Sequence, residues 1–205
     1  YDPDEWDYRG EYRAYLSAHP AIVSVFNAGV TEDGRSYIVM EYCPPPDMGK
    51  RAAARKLSVA RVLEMGIMVS GAVETLHRAG ILHRDIKPAN ILMTQFDHPV
   101  LIDFGIALST EPGADKADSG FSLPWAPPQQ ALGESNIGPT LDVYSLAATI
   151  YTFLAGHSPF DIPGGDNREI AMLNRVLNAP VPRTGREDVP IELERVLAIA
   201  MSKDP

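Results

Sequence analysis

The sequence predicts an α+β protein with two unequal lobes, a small β lobe followed by a mainly helical large lobe. Three observations carry this. Residues 22–30 and 36–41 are apolar-rich extended stretches on either side of an Asp33-Gly34 turn. Pro44-Pro45-Pro46 then stiffens the chain, because consecutive prolines favour extended polyproline geometry. Beyond that break, apolar residues recur at helical spacing, and residues 141–155 are apolar on nearly every side.

Taken in order, residues 1–18 are polar and aromatic, with helical character over 11–16, and His19-Pro20 ends that pattern. Residues 1–42 are read as part of the small lobe, 43–50 as the linker and 51–205 as the large lobe. Ser58 is placed to cap a helix running to Ala79, with Val62, Met65, Val69, Ala72, Val73 and Leu76 on its buried face. His77 and Arg78 sit in its last turn, and Gly80 ends it. Asp142 opens the apolar helix, where a carboxylate suits the helix N-terminus. Residues 167–177 and 191–201 have the pattern of two amphipathic helices.

Composition narrows the function classes. A chain of 205 residues with 45% hydrophobic content can bury a sizeable core without staples. Its net charge of −9, spread along the chain, argues against a general nucleic-acid surface, which needs a basic face. Cys43 is the single cysteine, so no internal disulfide forms, and a reducing, cytoplasmic setting is expected. No apolar run reaches the roughly 18 residues a membrane helix needs, and no signal peptide opens the chain. There is no initiating Met and the chain stops at Lys203-Asp204-Pro205, so a piece of a longer, even membrane-anchored, protein is expected.

The chemistry concentrates in His83-Arg84-Asp85-Ile86-Lys87-Pro88-Ala89-Asn90, followed by Asp103-Phe104-Gly105. Phosphoryl transfer needs a carboxylate beside the attacking hydroxyl, a cation on the moving phosphate and oxygen ligands for magnesium. Asp85, Lys87, Asn90 and Asp103 supply these in turn. Asp85 and Lys87 are two apart, so an extended loop points both the same way. Alone, such a pair is more often a plain surface ion pair. Residues 91–94 and 99–102 form a short hairpin, and a turn centred between Phe96 and Asp97 sets Asn90 opposite Asp103. Two such oxygen ligands can share one Mg²⁺.

These motifs resemble the catalytic loop and the metal-binding Asp-Phe-Gly of the Hanks-type (eukaryotic-like) serine/threonine protein kinases, most closely the bacterial members. The resemblance implies a two-lobed protein-kinase-like fold with a truncated small lobe. It implies transfer of the ATP γ-phosphate to Ser or Thr hydroxyls of protein substrates, with ATP and Mg²⁺ as cofactors. Asp85 and Lys87 become the catalytic pair, and Asn90 and Asp103 the metal ligands. Met40, the Glu41 carbonyl, the Cys43 amide, Asp47 and Leu92 would surround the nucleotide. His83 and Phe104 would be structural, and Asp142 would anchor the catalytic-loop backbone. Arg84 would hold a phosphate on the 106–124 loop, with Thr110 or Ser119 as acceptors, and Ser122 would tie that loop to Lys87.

The sequence departs from the family pattern in three places. No glycine-rich loop or Val-Ala-x-Lys strand precedes Tyr1, Glu11 is only an approximate match to the helix glutamate, and Pro127-Pro128-Gln129 stands where the family has Ala-Pro-Glu. A pseudokinase that serves as a binding or scaffold module therefore stands as the alternative. A small-molecule kinase is disfavoured by Lys87 and the 122–130 docking segment.

Overall fold

The computed structural model describes residues 19–103, 121–134 and 138–204. The expected helix over 11–16, including Glu11, and Phe104, Thr110 and Ser119 lie outside the described residues.

The small lobe is represented by the antiparallel pair β1 (Val25–Val30) and β2 (Ser36–Met40). Gly34 takes the left-handed conformation in their connection, with φ 83°, as the Asp-Gly turn requires. The register slips between Val25 and Asn27, so a bulge bends the ribbon where it meets the rest of the molecule. The preceding segment docks on the large lobe. Leu101 donates its amide to Ala21 O (2.8 Å), and Val23 donates to Leu101 O (3.1 Å). His19 sits over the large lobe's long helix at Gly71, where an added Cβ would lie 3.0 Å from His19 Nε2.

Helix α1 (Met48–Ala54) follows the prolines and spans the expected linker boundary. Asp47 caps it, accepting from Lys50 N at 3.0 Å. Helix α2 (Val59–Arg78) carries the seven buried residues Val62, Met65, Gly66, Val69, Ala72, Val73 and Leu76 on one stripe, and Ser58 caps it as expected. Its axis approaches that of α4 (Thr140–Ala155) at Gly66, where an added Cβ would sit 3.2 Å from Ile150 Cδ1. Helix α4 is buried on almost all sides and ends at the left-handed Gly156. Short α3 (Pro128–Ala131) precedes it, and α5 (Glu169–Asn178) and α6 (Ile191–Ala200) complete the lobe. No helix among the described residues is long and apolar enough to cross a membrane.

A second hairpin, β3 (Ile91–Met93) with β4 (Pro99–Leu101), lies on this helical core. Its register corrects the expectation from sequence. Leu92 faces Val100, and Ile102 donates its amide to Asn90 O (3.0 Å), so Asn90 is level with Ile102 and not with Asp103. The cause is the turn. Thr94 and His98 close a three-residue loop in which Asp97 adopts the left-handed conformation, with φ 62°. Thr94 Oγ1 accepts from both Phe96 N and His98 N, which holds that loop. A three-residue turn sets the register one place away from the even turn read from sequence.

The polar centre of the core is Asp142, with no exposed surface. Its carboxylate accepts from His83 N (2.8 Å) and Arg84 N (2.8 Å), and lies 2.9 Å from His77 Nε2. Helix α4 thereby holds both the end of α2 and the loop that follows it. Asp142→Ala strands two buried amides, each worth about 1–3 kcal/mol when left unpaired. Chemical denaturation of the variant is expected to show a loss of roughly 2–5 kcal/mol; a loss below about 0.5 kcal/mol, the range of a neutral surface change, would remove Asp142 from this role.

Candidate active site

The loop between α2 and β3 is held at each step by side chains from elsewhere. Arg84 has φ 67°, in the left-handed region that costs a side-chain-bearing residue about 1–2 kcal/mol. The Asp142 contact to its amide stabilises that conformation. His83 is wholly buried and places its Nε2 3.0 Å from Ile102 O, while its Nδ1 accepts from Asp85 N at 3.3 Å. A ring that donates at Nε2 and accepts at Nδ1 is neutral, and burial holds its pKa below the ordinary histidine value. The carboxylates of Asp142, Asp85 and Asp103 partly oppose that shift, which places all three acids within electrostatic reach of one ring. Histidine here is a structural peg, as expected.

Asp85 is 6% exposed. Lys87 Nζ donates to Asp85 Oδ2 at 2.6 Å and to Ser122 Oγ at 2.8 Å. The ion pair between Asp85 and Lys87 is therefore present, and the lysine also carries the bridge to Ser122 expected from sequence. Asn90 Nδ2 donates to Asp85 O (2.8 Å) and to Asp85 Oδ2 (3.1 Å). Both bonds use the Asn90 amide nitrogen and leave its carbonyl oxygen for another ligand. They also leave Asp85 Oδ1 with no hydrogen bond among the described residues. Asp103 is exposed and left-handed, with φ 69°, so the chain leaves the β4 direction there. Strained non-glycine backbone at Arg84 and Asp103 brackets the cluster, as functional sites often do.

No group of three or more His, Cys, Asp or Glu that could hold a metal ion occurs among the described residues. Mg²⁺ is usually held by one or two protein oxygens, with the remaining ligands from phosphate and water. The Asn90 carbonyl and the Asp103 carboxylate are hard oxygen donors of the right kind.

The nucleotide-pocket candidates lie at the end of β2, in the segment that leads to α1, and in β3. Met40 ends β2 and is 39% exposed. Glu41 donates its amide to Ser24 O (2.9 Å). Cys43 is half-buried, and burial together with the Glu41 charge raises its thiol pKa. Asp47 serves as the α1 cap, and Leu92 lies half-buried between the buried Ile91 and Met93.

Residues 121–134 close over the large-lobe side of the loop. Trp125 Nε1 donates to Thr152 Oγ1 (3.0 Å) and anchors this segment to α4. Gln129, where the family glutamate was expected, donates to Lys203 O (2.7 Å). Two contributors were not foreseen as part of the site. His77 was read only as a helix-end residue, and Gln130 Nε2 donates to Arg84 O at 2.8 Å. Both act across long sequence separations, and neither has a local signal.

A family model for the protein kinase domain matches residues 9–196. The chain is 35% identical over 196 residues to serine/threonine-protein kinase PknK of Mycobacterium bovis, across 93% of this chain and 17% of that protein. It is 33% identical over 202 residues to serine/threonine-protein kinase PknB of Mycolicibacterium smegmatis, across 91% and 31% respectively. A probable serine/threonine-protein kinase of Streptomyces coelicolor is also 33% identical, across 91% and 28%. The chain spans less than a third of the length of these curated relatives. A buried acid, a lysine on its carboxylate and an asparagine on the same loop are thus set in a match that covers most of the chain, and the chain belongs to the protein kinase domain family.

Proposed function

We propose that the complete domain transfers the γ-phosphate of ATP to Ser or Thr hydroxyls of protein substrates, with Mg²⁺, in the cytoplasm. The carrying observation is the division of labour on Asp85. Its Oδ2 is held by Lys87 and Asn90, and its Oδ1 has no hydrogen bond among the described residues. An acceptor hydroxyl meets that oxygen, and Asp85 orients it and takes its proton. Lys87, fixed between Asp85 and Ser122, directs its charge toward the transferring phosphate. Its bond to a serine on the 121–134 segment couples substrate docking to the loop. Serine/threonine specificity is also stated in the names of the two relatives, PknK and PknB, for those proteins.

Asn90 and Asp103 are assigned to the metal. When bound, Mg²⁺ neutralises charge on the phosphates and fixes their geometry. Asn90 contributes its carbonyl because its amide nitrogen is bonded to Asp85. Met40, Glu41, Cys43, Asp47 and Leu92 are assigned to the nucleotide. Arg84 is assigned to a phosphate on Thr110 or Ser119. Its Nε is buried and has no hydrogen-bond partner among the described residues. The even spread of acidic charge gives no support to a nucleic-acid partner.

The full-length protein, incubated with γ-labelled ATP, Mg²⁺ and a generic protein substrate, is expected to yield labelled phosphoserine or phosphothreonine. Label confined to a small molecule would replace the proposal, and no transfer at all would favour a binding module. In the same assay Asp85→Asn is expected to lower kcat by at least ~10²-fold with ATP affinity retained. Turnover equal to wild type would remove the base assignment. Asn90→Ala combined with Asp103→Asn is expected to abolish the Mg²⁺ dependence of nucleotide binding in calorimetric titrations. A Mg²⁺ response matching wild type would place the metal elsewhere.

A further inference from the structure

The residue immediately before the proposed base is held from two directions. Arg84 is left-handed, with φ 67°. Its amide donates to Asp142 Oδ1 of α4, and its carbonyl accepts from Gln130 Nε2 of α3, both at 2.8 Å. The Arg84 carbonyl belongs to the peptide that joins Arg84 to Asp85. Rotation of that peptide swings Asp85 relative to Lys87 and Asn90. Asp142 fixes the plane before Arg84, and Gln130 on the Arg84 carbonyl, with His83 Nδ1 accepting from the Asp85 amide, fixes the plane after it.

Gln130 is well placed for this. Its short helix follows directly on the segment that carries Ser122 and Trp125, and Trp125 is tied to α4 through Thr152. The same segment therefore reaches the loop twice. Ser122 contacts Lys87 after the base, and Gln130 contacts Arg84 before it. The amide orientation is set by chemistry, since only the NH₂ end can face a carbonyl oxygen. The Gln130 Oε1 is buried with no partner among the described residues, so the Arg84 bond is the polar contact that holds this side chain.

We infer that Gln130 is a positioning residue for the phosphoryl-transfer step, which acts through the Arg84–Asp85 peptide to set the direction of the Asp85 carboxylate. The inference rests on the proposed role of Asp85. Small displacements of a reacting group cost up to ~10²-fold in rate even when the change lies away from the chemistry.

Gln130→Met keeps the length of the side chain and removes the donor. In the full-length protein it is expected to lower kcat by roughly 10–10²-fold, with KM for ATP and for protein substrate within about twofold of wild type. Wild-type turnover in Gln130→Met would assign the site to packing alone and overturn the inference. Gln130→Glu provides a second reading, because a neutral carboxyl can donate to the Arg84 carbonyl and a carboxylate cannot. Its turnover relative to wild type is expected to rise as pH falls, and a flat ratio counts against the inference. Hydrogen exchange at the Asp85 amide separates this from failure of the kinase reading. Exchange at least ~10-fold faster in Gln130→Met supports the positioning role even if the wild-type protein transfers no phosphate, and unchanged exchange overturns it.

Discussion

One buried carboxylate organises the molecule. Asp142 has lost all contact with water, and a charge so placed is tolerated only when its hydrogen-bonding capacity is filled. The donors are two successive backbone amides of the catalytic loop and a ring nitrogen at the end of α2. The most buried helix is thereby bonded to the least regular part of the backbone. Arg84 keeps its left-handed conformation because this bonding over-determines it.

From that anchor the site is built outward by hydrogen bonds in series. His83 is pinned to Ile102 O and receives the Asp85 amide, which ties the loop to the hairpin that ends at Asp103. Asp85 is then held through its Oδ2 by Lys87 and Asn90. Ser122 and Gln130 attach the 121–134 segment to the same loop. Catalysis by orientation needs this kind of rigidity, since no single surface ion pair would hold a reacting group in place.

The fold and the chemistry were legible to different depths in the sequence. The stripe of α2, its Ser58 cap and the nearly uniform apolarity of α4 are periodic signals, and they specify those helices within a residue or two. Asp85, Lys87, Asn90 and Asp103 were legible because they stand in two short motifs that resemble those of the protein kinases. The hairpin register was not. Asp97 could sit in a two- or a three-residue turn, and the choice depends on Thr94 and His98 closing around a left-handed residue. Helix α1 escaped notice because its seven residues hold only two buried positions, Met48 and Ala52, too few for a periodic signal.

The sequence by itself determined which groups are present, which helices carry the core and which reaction those groups suit, because these follow from residue type and local spacing. Tertiary structure alone decided that His77 joins Asp142, and that Gln130 reaches Arg84, around the loop that carries Asp85. Those contacts join residues some 46 to 65 positions apart. Closure over such distances is set by how the helices pack, and no local pattern in the chain records it.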